Sequence, residues 1–332
     1  MIALAGALAL AATATACNAA SGGTGGSAGG ESKQAGGGAK PATIGLVLPQ
    51  GDKYFQGIQS GIEAAAKKDG NRVVVVNTNN DAGAEASGVQ NLIQRGVSAI
   101  IMQPATSSAG SIATMKSIGA AKIPLICFGN CTGKAASPDV VKGVVQSDNT
   151  ALGTATGQEA ARYIKEKLGG KAVVGILNCD SFEVCKLRKA GFKKALKAAG
   201  VQTKYVADQE GFLADKATPI ATNMLSANPS INLLWAANEG GTLGEIAAVK
   251  SGGREVPVFG TDISDQLATA LLSKDAILKV TTGQDASATA AKAYDFAIQS
   301  VAGRTNEPFS VGIPGIAYSG SRPVVVRAYL GQ

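Results

Sequence analysis

The sequence predicts an α/β fold of two similar doubly wound lobes, each on a parallel sheet, and three observations carry that prediction. From Thr43 onward, short aliphatic runs alternate with longer stretches whose apolar residues recur at helical spacing. The runs are continuous and β-branched, which suits strands buried on both faces and therefore parallel βαβ units. The alternation is long enough to build two such units in series, with Gly or Asp/Asn punctuating the loops.

In chain order, TIGLVL at 43–48, VVVVN at 73–77, SAIIM at 98–102, PLICF at 124–128 and GVVQ at 143–146 read as strands. Between them, 55–69, 83–96 and 109–121 carry Ile, Ala, Val and Leu at the helical period. The second series runs helix 150–168, strand 172–177, helix 186–199, strand 202–207, helix 215–227, strand 232–236, helix 241–250 and strand 256–260. One more helical stretch covers 286–302.

Composition narrows the function. A chain of 332 residues, 45% hydrophobic, buries one large core or two smaller ones. It contains no histidine, which excludes Ser-His-Asp and Cys-His catalytic units, imidazole zinc ligands and a histidine pH switch. The charge of +7 is scattered, with no basic arm for nucleic acid. Neither G-x-G-x-x-G nor GxxxxGK[ST] occurs, and the glycine cluster from Glu239 to Gly244 reads as a turn opening a helix.

Residues 2–16 form an uncharged apolar run with small residues, the shape of an export signal, too short to span a bilayer as a helix. Such signals carry Lys or Arg ahead of the run, so a basic region is expected upstream of Met1. Ala14-Thr15-Ala16-Cys17 resembles a bacterial lipobox, departing from it in Ala14 where Leu is usual, and Cys17 is the expected lipidation site. Residues 18–40 hold nine Gly, five Ala and three Ser and nothing to bury, as in a flexible leash.

Four further cysteines stand at 127, 131, 179 and 185. In an exported chain they point to two disulfides, and the close spacings favour Cys127 with Cys131 and Cys179 with Cys185, although four cysteines allow three pairings. A four-thiolate metal site and free buried thiols are the lesser alternatives.

Several segments, in order, carry a family resemblance: Tyr54-Phe55 with Gly61, Asn79-Asn80-Asp81, Gln94-Arg95-Gly96, Gln103-Pro104, Ser147-Asp148-Asn149, Arg188-Lys189-Ala190-Gly191-Phe192, Asn238-Glu239, Gly260-Thr261-Asp262 and Gln284. Together they resemble the periplasmic sugar-binding proteins of the ribose-binding type, the type I solute-binding proteins of ABC importers, from about Thr43 to the carboxyl terminus. The resemblance implies two lobes joined by a three-strand hinge, with crossings near 147–149, 284 and 311–313. The implied organisation is a signal peptide at 1–16, lipidation Cys and linker at 17–40, an N-terminal lobe of 41–148 plus 285–312, and a C-terminal lobe of 149–284 plus 313–332.

The resemblance also implies that a sugar sits between lobes that close on it, at the carboxyl ends of the strands. Arg188 matches a family arginine that donates to two hydroxyls, and Asp262 a carboxylate that accepts from two. Asn238 and Gln284 match amides, Tyr54 and Phe55 an aromatic pair of which one is expected to serve the core, and Phe212 a third stacking residue. Asp52 and Lys53 occupy the loop where ribose binders carry Asn. Gly129-Asn130 replaces a family Asp-Arg pair, so Asn130 is a neutral contact in a reshaped pocket. Lys186, Lys189 and Lys193 are expected to face solvent, as are Asp180, Phe182 and Glu183 unless the ligand reaches them. Neither Arg188 nor Asp262 is expected to be needed for the ligand-free fold.

The implied function is a lipid-anchored solute-binding component of an ABC importer, exported to the cell surface or periplasm. It carries a monosaccharide or sugar alcohol to a membrane permease. It is expected to be a monomer and not an enzyme, without cofactor, metal or nucleic acid. A sugar-sensing receptor module for a chemosensor or membrane kinase is the alternative within the binding class. A secreted polyol-processing enzyme, with Asp180 and Glu183 as a carboxylate pair, is the alternative outside it.

Overall fold

Asp52, Asp81, Asp148 and Asp285 each end an extended segment and start a helix, their carboxylates accepting the N–H groups of Phe55, Ala84, Ala151 and Ala288. The computed structural model describes residues 41–106, 109–131, 137–275 and 277–332. The expected signal peptide, Cys17 and the leash lie outside the described residues.

The elements are Thr43–Leu48 (β1), Lys53–Lys68 (α1), Arg72–Asn77 (β2), Ala82–Gln94 (α2), Ala99–Met102 (β3), Ala109–Ala120 (α3), Leu125–Phe128 (β4), Gly143–Ser147 (β5), Asn149–Lys167 (α4), Lys171–Asn178 (β6) and Glu183–Ala198 (α5). They continue with Gln202–Glu210 (β7), Ala214–Ala227 (α6), Leu233–Ala236 (β8), Glu239–Gly252 (α7), Val258–Thr261 (β9), Asp265–Leu271 (α8), Leu278–Gly283 (β10), Ala286–Val301 (α9), Ser310–Ile313 (β11), Ile316–Ser319 (β12) and Pro323–Leu330 (α10).

They form two six-stranded sheets, in the orders β11-β5-β4-β3-β1-β2 and β12-β10-β9-β8-β6-β7. Every pairing is parallel except β10 with β12. In the first sheet, Ile44 and Leu46 face α1 and α9, while Val47 faces the opposite core with Val89 and Leu92 of α2. The second sheet likewise separates a core with α4 and α5 from one with α6, α7, α8 and α10. The expectation that every early strand is buried on both faces fails for β2. This edge strand has no fully buried residue, because it has one neighbour and lacks cover on its outer side.

The chain passes between the sheets three times. After β5, α4 buries Ala160, Ala161 and Ile164 against Val174 and Trp235 of the second sheet. After β10, α9 returns Ala290, Ala293 and Phe296 to Ile126 and Val145 of the first. After β11, which pairs with β5, strand β12 pairs with β10.

Helices α4 and α5 approach closely enough that side chains are excluded between them. A Cβ on Gly153 would stand 1.8 Å from the Arg188 carbonyl oxygen, and one on Gly191 2.2 Å from that of Thr150. This contact fixes the turn of α5 that carries Arg188.

Candidate ligand-binding site

Arg188 is only 6% exposed although it is charged, so its partners must satisfy it inside the protein. Its Nε donates to Asn149 Oδ1 at 3.0 Å, and Nη1 donates to the Ala237 carbonyl at 3.0 Å and to Asp262 Oδ2 at 3.1 Å. One guanidinium thus joins the start of α4, the end of β8 and the residue after β9. Nη2 has no hydrogen bond to the described residues.

Asp262 is held in an unusual backbone state. Its φ is 72°, a left-handed conformation that Asp tolerates better than most residues. The backbone is pinned there: its N–H donates to Thr282 O at 2.9 Å and its carbonyl accepts from Thr281 Oγ1 at 2.6 Å. Oδ2 also accepts the Glu239 N–H at 3.2 Å, whereas Oδ1 is buried with no partner among the described residues. Such an orphan acceptor is costly unless another group fills it. The cap of α8 is made by Ser264, which accepts the Leu267 N–H.

The other expected site residues divide into those left with free capacity and those spent on structure. Asn238 caps α7 through Gly241 N–H and donates to Phe212 O at 2.8 Å, leaving one N–H and one lone pair. Gln284 accepts from Ser147 Oγ at 2.7 Å, tying the end of β10 to the end of β5. Phe212 is half-buried and meets Phe182 edge to face at 5.5 Å, and Phe182 is 51% exposed. Asn130 is exposed at the bend after β4.

Of Tyr54 and Phe55, Phe55 serves the core, and Tyr54 packs against the same core from its edge. Phe55 is buried beside Phe128 in the core of the first sheet, so it has no face for a ligand. The Tyr54 hydroxyl is buried without a hydrogen-bond partner among the described residues, and burial raises its pKa. The Thr289 and Ser147 side chains beside it oppose that shift, without forming a well-directed hydrogen bond.

Asp52 is occupied as the cap of α1 and accepts from Gln50 Nε2 at 2.6 Å. Lys53 is turned away to Asp265 and the ring of Tyr329.

Both cysteine pairs are joined as the spacing favours, Cys127 to Cys131 and Cys179 to Cys185. One joins β4 to the bend after it, beside Asn130; the other spans the loop from β6 into α5. That loop also corrects an expectation, because Lys189 does not face solvent. Its Nζ bonds Asp180 and Asp208, and Lys193 bonds Asp208 at 3.1 Å. Burial works against the charge of Lys189, but the two carboxylates outweigh it and raise its pKa. Asp180 is therefore paired with Lys189, and Glu183 with Lys186.

Sequence reasoning missed Asn149, Gln103 and the backbone of Glu239 as members of the site. Gln103 follows β3, and its side-chain oxygen lies where a side chain at residue 129 would begin, 1.8 Å from a Cβ placed on Gly129. Gly129 has φ +64°, so glycine serves the turn as well as the space. Their signal was position at a strand's carboxyl end. A shallow groove lined by Lys171, Gln202, Lys204 and Asn232 lies at the other, amino ends of β6 and β7 and includes none of these groups.

Arg188, Asp262, Asn238 and Phe212 thus cluster at the carboxyl ends of the second sheet, with Gln103, Asn130 and Tyr54 at those of the first. Among the described residues no helix is long and apolar enough to cross a membrane. Over 236 residues, 70% of this chain and 72% of the other, the sequence is 31% identical to the ABC transporter periplasmic-binding protein YphF of Escherichia coli. It is 32% identical over 251 residues to the ribose import binding protein RbsB of Bacillus subtilis, covering 75% of this chain and 78% of that one. The solved structure of an ABC transporter periplasmic solute binding protein from Actinobacillus succinogenes, with bound D-allose, superposes with TM-score 0.69 at 25% identity, over 86% of this chain and 99% of that one. The family model described as periplasmic binding protein domain matches residues 44–305, and the chain belongs to that family.

Proposed function

We propose that this chain is the lipid-anchored solute-binding component of an ABC importer, and that it holds one monosaccharide or sugar alcohol between two closing lobes. The observation that carries this reading is the incomplete polar set at Arg188 and Asp262. Among the described residues Asp262 Oδ1 is a buried acceptor without a partner, and the Arg188 guanidinium bonded to the same carboxylate keeps Nη2 without a hydrogen bond, an acceptor and a donor suited to sugar hydroxyls. Phe212, whose carbonyl accepts from Asn238, and Phe182 supply an apolar face at the same strand ends for the carbon face of a ring.

The three passages of the chain, after β5, β10 and β11, serve as the hinge. The lobes are 41–148 plus 285–312 and 149–284 plus 313–332. Ligand binding energy stabilises the closed form, which a membrane permease then recognises. Cys17 supplies the anchor, and the protein acts as a monomer without catalysis. The relatives named for ribose and allose support a sugar ligand, while Gly129 and Asn130, in place of the charged pair, support one gripped less by charge on the first-sheet side.

A thermal-shift screen over pentoses, hexoses, deoxysugars and polyols tests this. A cognate ligand at about a hundred times its Kd stabilises the folded state by about 2.7 kcal/mol. Recovery of the unchanged sugar would confirm binding without turnover. A screen in which nothing shifts the transition refutes the sugar reading.

A further inference from the structure

Lys53 stands in the first turn of α1, just beyond the carboxyl end of β1, yet its ammonium is already committed elsewhere. Nζ lies 2.5 Å from Asp265 Oδ1 and 4.3 Å from the centroid of the Tyr329 ring. Lys53 belongs to the layer of the first sheet. Asp265 opens α8 and Tyr329 lies in α10, both packed on the second sheet.

The receiving ring is held by contacts of its own that do not involve the lysine. Its hydroxyl donates to Ile263 O at 3.3 Å, and it meets Tyr318 of β12 edge to face at 5.6 Å. Burial first, and the Asp265 carboxylate next, push the phenol up to about 12, so the ring stays neutral and presents its electron-rich face to a cation. The ion pair spans 212 residues of sequence, so helix geometry does not create it. It exists only when the starts of α1 and α8 adjoin.

We propose that Lys53 is a positioning residue for ligand retention, a clasp that acts through Asp265 and Tyr329 to hold the two sheet layers together around the bound sugar. The proposal rests on the two-lobe reading above. The side chains of Lys53 and Asp265 keep 42% and 66% of their exposure, so the pair is weak and salt-sensitive. A bias of about threefold is the scale expected of an exposed pair supported by a ring. That weakness suits a clasp that must reopen to release its cargo.

Hydrogen exchange on the full chain without ligand reads the clasp independently of which sugar binds. Lys53→Met keeps the stem and removes the charge, and should speed amide exchange at 147–149, 284–285 and 263–267 about threefold. Asp265→Asn should do the same, and the double variant should add nothing more. Lys53→Arg should restore protection, since a guanidinium can both pair and stack. Unchanged exchange in the single variants, additive effects, or no rescue by Lys53→Arg overturns the proposal. Unaltered protection in β1 and β8 shows that the variants remain folded. In a second arm, D-ribose and D-allose are bound and their release timed, with Lys53→Met expected to release about threefold faster. If neither sugar binds, the choice of ligand is at fault, and the exchange result alone decides for or against the clasp.

Discussion

Replacing Arg188 with alanine tests the site and the fold together, and the structure changes what should be expected. Arg188 is not a side chain waiting in an open cleft: it bonds Asn149, Ala237 and Asp262 from a buried position. Its loss is therefore expected to cost the ligand-free fold as well, contrary to the reading from sequence. Truncation leaves the Ala237 carbonyl short of a donor and Asp262 with only the Glu239 N–H. Breaking a buried ion pair costs about 3–5 kcal/mol, and Asp262 keeps 22% side-chain exposure, so the lower end, about 3 kcal/mol, applies. In a domain of this size that lowers Tm by about 6–12 °C. Binding loses a further contribution of about 2 kcal/mol from unpaired hydroxyls in a closed site, or roughly thirtyfold in affinity. Thermal denaturation without ligand and calorimetry with the cognate sugar separate the two effects. A variant with unchanged Tm would show that the three hydrogen bonds carry no stability. One that bound as tightly as the parent would remove Arg188 from the site.

Other consequences are open to measurement. Glu245 is wholly buried, neither oxygen forming a well-directed hydrogen bond among the described residues, and burial raises its pKa well above 4.5 against a weaker opposing contribution from the Leu177 backbone. The folded state therefore keeps its proton longer than the unfolded chain. The contribution of Glu245 to stability should be full below about pH 4.5 and be lost as pH rises through the raised value, by up to about 1.4 kcal/mol per pH unit; Glu245→Gln should remove that component in urea titrations, and a pH dependence identical to the parent's would rule Glu245 out as its source. Gly153→Ala places a methyl group against the Arg188 carbonyl and should push α5 away from α4, lowering both Tm and sugar affinity, whereas Gly119→Ala, with open space around it and no left-handed backbone, should keep both. Thiol labelling of the denatured, unreduced protein should find Cys127, Cys131, Cys179 and Cys185 blocked. The Cys179→Ser/Cys185→Ser pair should cost about 2 kcal/mol for so short a loop, read by denaturant midpoint.

The central strands were legible because a run such as AIIM or LLWA, buried all round, leaves an unbroken aliphatic signature. The elements after Thr261 were largely not. Strand β10 reads LKVTTG and α8 has seven residues, too polar in one case and too short in the other for periodicity to register. Arg188 and Asp262 were found only through the order of motifs. Nothing local distinguishes Arg188 from Lys186 or Lys193 until the fold buries it. Lys53 was misplaced because its partners lie at the far end of the chain, and Asn238 looked like a ligand group although it also caps a helix. Asn149 was noticed as a landmark of the first crossing but not as a partner of the site, because only the closeness of α4 to α5 brings it to the arginine.

That last bond has a consequence for signalling. Asn149 is the first residue of α4, two positions beyond the end of β5, and its amide oxygen holds Arg188 Nε. In the proposed reading, the side chain that reads the sugar is wired directly to the strand by which the chain leaves the first sheet. A hydroxyl drawing on the guanidinium would pull on that crossing without first deforming either core. Occupancy would be reported at the pivot by one hydrogen bond, and Asn149→Ala should leave a protein that still finds its sugar but couples closure to it less tightly.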